Sequence, residues 1–459
     1  MTDINETLRF LSAGMPMPLR LRIEQGDFEG AVRLIDEMLS GDLTEVMRNA
    51  LTARREICSR LPASYPYTVK EALSVIRKKL PDFSEEEFCS LLNGRRFDAT
   101  TVNGETHILD SFFDTLMDTD ADFAKRVQIA EDPSHTPGSG GNMRTAVMEE
   151  MERNGYAARR ITLRAALRLN DSLFTPGMFL RAHLPIPAGC DTQTDIEILS
   201  LSPCGGVIAP ADASQRTVCW EGHFTENPTF TVEYRYVHRE PYTDPDTLHF
   251  AGKEPSFHTE EELPHIAFTP YVRAIRDELT AGAKDPLEKA WRIYDYMTGN
   301  MHYSYQPPYI LMDQIPEKCL RDLTGDCGVF ALTFITLLRS CGIPAVWQSG
   351  IACCDRPVPG SHDWARFYIA PYGWLQSDVT WGMTAAKQGL EKLRRFYFCN
   401  IDPSRMAANN AFQAPFAEPK RHWRNDPYDN QRGELETDDR GFTESDFVTT
   451  QETVACEVL

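Results

Sequence analysis

A multidomain α+β protein is what this chain predicts, and three observations carry that reading. Apolar residues recur at helical spacing over roughly the first 130 positions, and strict alternation replaces that pattern between about Thr162 and Arg239. A single almost wholly apolar helical run, opened by Cys327, is then followed by three short strand-like segments.

Each element follows from local pattern. In residues 1–130, FEGAVRLIDEML, LTEVMRNALTARREI, VKEALSVIRKKL and FSEEEFCSLL all carry an apolar face and predict a helical N-terminal domain. One hairpin interrupts them in RRFDATTVNGETHIL, where Asn103-Gly104 is a favoured two-residue turn. LRLRIEQGDFEGAVRLIDEML has the look of one helical repeat, but no second copy follows at a fixed period, so a solenoid is not supported. The Pro, Gly and Ser density of EDPSHTPGSGGN, Glu131 to Asn142, marks a linker, taken to extend over 131–160.

Residues 161–260 predict a β-rich, sandwich-like domain built from FLRAHLPIP, DIEILSLS, TVCWEGHF and TFTVEYRYVH. In the last of these, Phe230, Val232, Tyr234 and Tyr236 alternate against Thr231, Glu233 and Arg235. A crossing rich in proline (Pro241, Pro245, Pro255, Pro264) leads to a third unit, 261–425. There Asp285 caps a helix with Pro286 at its first position, and Leu287, Ala290, Trp291 and Tyr294 form its apolar face. The helix from Cys327 is apolar nearly all round and therefore central, with Gly342 and Pro344 ending it. AVWQSGI, DWARFYIA and GWLQSDVTW read as strands packed on that helix. Residues 426–459, with GELETDDRGFTESD, read as an acidic, weakly packed C-terminal tail.

Composition narrows the function. The chain has 459 residues, 42% of them hydrophobic, and 47 Lys and Arg against 67 Asp and Glu give a net charge of −20. Such an acidic surface serves solubility and argues against nucleic acid or an anionic membrane as partner. MTDINETLRF lacks the basic start of a signal peptide and no apolar stretch approaches spanning length, so a cytoplasmic location is expected. The twelve cysteines are neither dense nor regularly spaced, and Cys353-Cys354 are adjacent, which predicts mostly reduced, buried thiols.

The chemistry centres on Cys327 in GDCGVF. At the start of a buried helix its sulfur meets the positive end of the dipole, an arrangement that favours thiolate and makes it a nucleophile. HDWARFYI supplies His362 and GWLQSDVTW supplies Asp378, the base and the orienting carboxylate of a triad. Alternation puts His362, Trp364, Arg366 and Tyr368 on one strand face and turns Asp363 away, so Asp378 is the better partner for the imidazole. An oxyanion needs two donors: the Cys327 amide and, before the cysteine, Tyr303 or Tyr305. Trp347, Trp364 and Arg366 are candidates to line a substrate groove, although core packing explains most aromatic runs equally well. No paired cysteine or HExxH spacing accompanies the triad and no phosphate cradle is present, so neither a metal nor a cofactor is expected.

At these residues the chain resembles the transglutaminase-like superfamily, through GDCGVFALTFITLLRSCGIPA, HDWARFYI and GWLQSDVTW, over about residues 285–385. The resemblance implies a papain-like fold, with Cys327 as nucleophile, His362 as base and Asp378 as orienting acid. Arg366 departs from it by standing where many members carry an acidic residue, and Val379 replaces the proline that often follows the acid. The expected activity is hydrolysis of an amide or peptide bond through a Cys327 acyl-enzyme, on a peptide, protein or small-amide substrate. Transamidation and a non-enzymatic interaction role for the same fold are the alternatives. Oligomeric state is not legible in the sequence.

Overall fold

Amphipathic helices and well-formed caps account for the first third of the chain. In this computed structural model, which describes residues 4–131, 143–354 and 358–459, a 3-10 segment (Ile4–Ser12) precedes α1 (Met17–Glu24), α2 (Phe28–Leu39) and α3 (Glu45–Ser64). The side chains of Asp27 and Thr44 accept backbone N–H bonds at the starts of α2 and α3, which satisfies donors no helix can satisfy itself. There follow β1 (Tyr67–Thr68), α4 (Val69–Arg77), α5 (Glu85–Asn93), β2 (Ala99–Val102), β3 (Glu105–Ile108), α6 (Phe112–Thr119) and α7 (Ala121–Glu131). Thr68 and Glu71 form a reciprocal capping box on α4. The β2–β3 turn has Asn103 at φ 50° and Gly104 at φ 81°, the left-handed pair that a tight hairpin demands. Leu8, Leu11, Ala53 and Ile57 share the core of the third unit, so the helical region rests directly on it.

Part of the span expected to be linker is structured, while the Pro/Gly/Ser-rich stretch from 132 to 142 lies outside the described residues. α8 (Met143–Asn154) buries Met148 and Met151, and β4 begins at Tyr156 and runs to Leu169. The arginines of β4 mask its alternation in the sequence. β4 is joined by β5 (Met178–Pro185), β6 (Gln193–Ser202), β7 (Val207–Ile208), β8 (Thr217–Phe224) and β9 (Phe230–Pro241). β4, β9 and β6 form one antiparallel sheet and β5, β8 and β7 the other. Tyr234, Tyr236, Trp220 and Leu163 fill the space between them.

In the third unit come α9 (Pro270–Leu279), α10 (Pro286–Asn300), β10 (His302–Tyr303), α11 (Ile315–Asp322), β11 (Thr324–Gly325) and α12 (Cys327–Ser340). Asp285 caps α10 as its sequence predicts, accepting from Glu288 N–H. Every α12 residue from Cys327 to Arg339 is buried, at about 1.5–3 kcal/mol per large apolar side chain. Against it lie β12 (Ala345–Ala352), β13 (Gly360–Ile369) and β14 (Gly373–Ser377), in a sheet ordered β14, β13, β12, β15, all antiparallel. GWLQSDVTW is not a continuous strand: it breaks at Ser377, and Asp378 caps α13 (Val379–Lys387), which leads to α14 (Glu391–Cys399). β15 (Arg405–Asn409) fills the far edge of the sheet.

The C-terminal segment is no weakly packed tail. β16 (Glu434–Glu436) adds to β5, and β17 (Phe447–Val458) pairs along the length of β4, so each sandwich sheet is completed by a strand from this end. Cys354 and Cys456 are joined in a disulfide that links the segment after β12 to β17, while the other ten cysteines are free, in keeping with the mostly reduced thiols expected. Among the described residues no helix is long and apolar enough to cross a membrane.

Candidate active site

Two polar clusters meet near one end of the β12–β13–β14 sheet. The first surrounds His362 on β13. Its Nε2 lies 2.7 Å from Asp378 Oδ2, and its ring stacks on Trp381 of α13 at 4.7 Å. With Nε2–H given to the carboxylate, the neutral imidazole carries its lone pair on Nδ1. Asp378 is fixed three ways. Its Oδ1 accepts Trp381 N–H at 2.9 Å, and its Oδ2 accepts Arg405 Nη1 at 3.0 Å as well as the histidine. Burial alone would raise the Asp378 carboxyl, but His362 and then Arg405 outweigh it and hold the group below its ordinary value. Arg405 is itself held by Asp402 Oδ2 at 2.7 Å, and its guanidinium covers the Trp364 ring at 4.9 Å.

The second cluster surrounds Cys327, the first residue of α12. Asp326 caps that helix, accepting Val329 N–H at 3.0 Å and Tyr309 O–H at 2.6 Å through the same oxygen. Gly328 is required here, since a Cβ would run into the Tyr309 hydroxyl. The Cys327 thiol donates to Asp363 Oδ2 at 3.1 Å, so the carboxylate that alternation turns away from His362 reaches the sulfur instead. Asp363 Oδ1 takes Gln431 Nε2 at 2.7 Å, and the same amide donates to the His362 carbonyl at 3.0 Å.

This setting reverses the charge state expected from the helix start. Burial, then the charges of Asp363 and Asp326, push the Cys327 thiol well above its ordinary range. Cys327 is 8% exposed and His362 3%, so both are closed from solvent.

The remaining sequence candidates separate. Tyr303 brings its hydroxyl to Cys327. Tyr305 turns to the N-terminal region, its hydroxyl giving a 2.7 Å bond to Asp118 and its N–H a 3.2 Å bond to Thr115. Trp347 and Trp364 are 2% and 1% exposed: the first packs on Phe412, and the second bonds Gln348 through Nε1, so neither faces an open groove. Arg366 pairs with Asp191 and lies over Trp374. Sequence reasoning missed Asp363 as a neighbour of the thiol, along with Arg405, Asp402 and Gln431. Only Asp326, in the Gly-Asp turn ahead of Cys327, carried a visible signal.

Residues 273–379 match the transglutaminase-like superfamily, a segment that includes Cys327, His362 and Asp378. The uncharacterized protein YebA of Bacillus subtilis is 24% identical over 234 residues, 45% of this chain but only 30% of that protein. Among solved structures, a candidate cysteine protease from Cytophaga hutchinsonii shares 16% identity, covering 66% of this chain and 91% of its own, with a TM-score of 0.39. The periplasmic domain of TgpA from Pseudomonas aeruginosa shares 16% identity over 54% of this chain and 95% of that domain, with a TM-score of 0.28.

Proposed function

We propose that this protein is a cysteine-dependent acyl-transfer enzyme that hydrolyses an amide or peptide bond, with Cys327 as nucleophile, His362 as base and Asp378 as the residue that orients the imidazole. The observation that carries this reading is the buried 2.7 Å His362–Asp378 pair, set one residue along β13 from the carboxylate that holds Cys327 Sγ. The match of residues 273–379 to the transglutaminase-like superfamily supports it.

In this reading the thiol loses its proton to His362, and the sulfur attacks the substrate carbonyl carbon. The Cys327 amide and the Tyr303 hydroxyl donate to the oxyanion. His362 then returns the proton to the departing amine, leaving a thioester at Cys327. A water molecule, deprotonated by His362, cleaves the thioester and releases the acid and the thiol. Hydrolysis asks only that water enter, whereas transamidation needs a second site that holds an amine and excludes water. Because Cys327 and His362 are closed from solvent, substrate entry requires side chains around them to move aside.

The experiment is a screen of amides and peptides by mass spectrometry with wild type and Cys327→Ala. Free acid from the wild type, a trapped acyl adduct on the Cys327 peptide and no product from the variant are expected. Turnover by Cys327→Ala would overturn the reading. Amine conjugates that outweigh free acid in added primary amine would change the reaction to transamidation.

A further inference from the structure

We propose that Asp363 is a positioning residue for Cys327: its carboxyl accepts the thiol hydrogen bond and keeps the sulfur protonated while the site is closed. The inference rests on the reading of Cys327 as nucleophile and assigns a resting state to that nucleophile.

The geometry begins with the 3.1 Å contact from Sγ to Asp363 Oδ2. The other face of Asp363 meets Asp429, with a hydrogen bond between the two carboxyls. Asp429 Oδ1 is held by Ser349 Oγ at 2.6 Å, Asn409 Nδ2 at 2.6 Å and Asn430 N–H at 2.7 Å. Gln431 Nε2 fixes the orientation of Asp363 from the same segment.

Groups facing this pair come from several elements. Cys327 and Asp326 come from the start of α12, Tyr303 and Tyr309 from the segment before it, and Asp426 and Arg424 from the segment that precedes Asp429. Arg405, beneath the neighbouring His362, is committed to Asp378 and Asp402.

Two buried carboxyls in contact cannot both ionise easily, so they hold one proton between them and carry a single negative charge. A thiolate at Cys327 would add a second negative charge beside the first. The thiol is therefore the favoured form, and burial, followed by Asp429, correspondingly raises the Asp363 carboxyl. Such a site stays chemically quiet until substrate entry separates Sγ from Asp363 and delivers it to His362.

Alkylation of Cys327 by iodoacetamide, followed by peptide mass spectrometry from about pH 6 to about pH 10, tests this without any substrate. Asp363→Asn removes the carboxyl that accepts from the sulfur and leaves the pair's single charge on Asp429, which does not hold Sγ, so alkylation at a fixed pH below the midpoint is expected to rise about tenfold, a shift of about one pH unit. Asp429→Asn leaves Asp363 to ionise alone beside the thiol, so no rise is expected. An equal rise in both variants would mean that the pocket had merely loosened, and no rise in Asp363→Asn would mean that its carboxyl does not hold the proton; either result overturns the proposal. If Asp363→Asn fails to melt cooperatively, the infrared S–H band of the wild type, assigned by its loss in Cys327→Ala, decides. A hydrogen-bonded S–H at neutral pH is expected, and its absence overturns the proposal. Failure of the hydrolase reading is seen separately, as turnover by Cys327→Ala, and leaves these thiol measurements unchanged.

Discussion

Arg405 Nη1 lies 3.0 Å from Asp378 Oδ2, the same oxygen that His362 Nε2 approaches to 2.7 Å. Asp378 therefore does two jobs, orienting an imidazole and neutralising a buried guanidinium. Asp378→Asn is expected to lower turnover by roughly two to four orders of magnitude through lost imidazole orientation. It should also destabilise the fold by about 3 kcal/mol, because Arg405 keeps only Asp402 as an ionised partner. Asp402→Asn removes the other partner of Arg405 and should cost stability with little loss of turnover. Thermal melts beside assays separate the two effects. A melting temperature in Asp378→Asn equal to wild type would show that the Arg405 pair does not support the fold.

Cys327 is not expected to be the most reactive thiol of the resting protein. A helix N-terminus favours a thiolate by about 0.3–1 kcal/mol, up to about 2 kcal/mol in partly buried geometry. Full burial moves a pKa by up to about 3–5 units, at about 1.4 kcal/mol each, in the opposite direction. Burial wins, and the neighbouring carboxylates add to it. Sub-stoichiometric iodoacetamide should therefore label the exposed Cys204 before Cys327. Dominant labelling of Cys327 at neutral pH would mean that the closed arrangement around Asp363 is not the state in solution.

Local signals made much of this legible and non-local pairing hid the rest. The N-terminal helices, the Asn103-Gly104 hairpin, the Asp285 cap and the apolar α12 all announce themselves within a dozen residues, because periodicity and capping are local. β17 does not, since FVTTQETVACEV is polar and half exposed, and its partner β4 lies far back in the chain, pairing Phe447 with Leu169. Acidic composition made that stretch look like a tail. At the site, strand alternation separates Asp363 from His362 correctly, yet it cannot say that the start of α12 meets Asp363. Arg405, Asp402, Asp429 and Gln431 belong to no spacing motif, and only the third dimension gathers them.

The disulfide is the exception among cysteines that are mostly free. Cys354 and Cys456 are bonded across a sequence separation of 102, while the adjacent Cys353 is buried with its thiol against the Ser404 carbonyl at 3.3 Å. Peptide mapping without reductant should recover residues 354 and 456 in one linked species. In a chain-entropy account, closing so long a loop contributes about 4–5 kcal/mol, so Cys456→Ser should lower the melting temperature clearly. Cytosolic thiols are generally kept reduced, so recovery of that linked species from protein taken from its native source would point to an oxidising compartment, and free Cys354 and Cys456 to a reducing one. That single map tests both the bond and the compartment.

Acid sensitivity has an identifiable source in His265. This residue is 1% exposed, in ring contact with Tyr428 at 4.7 Å and with Phe412 at 6.2 Å, and its Nδ1 accepts Ile315 N–H at 3.4 Å. Burial pulls its pKa from 6.5 down to about 3, against the weaker opposing charge of Asp313. Between those two values the unfolded chain binds a proton that the folded chain does not. Stability therefore falls as pH falls through that window, by about 1.4 kcal/mol per unit at most. Asp426 works the other way. Burial and Asp429 raise it from 3.8 to about 7, so over that range the folded state holds the extra proton and gains stability as pH falls. The wild-type slope is the difference of opposed contributions, and a variant is needed to expose either. His265→Phe keeps an aromatic ring in the Phe412–Tyr428 cluster and removes the titration. Denaturant unfolding at several pH values between about 3 and 6.5 should show that this variant loses less stability towards acid than the wild type. Parallel stability profiles for the two proteins would rule out His265 as the acid-sensitive group.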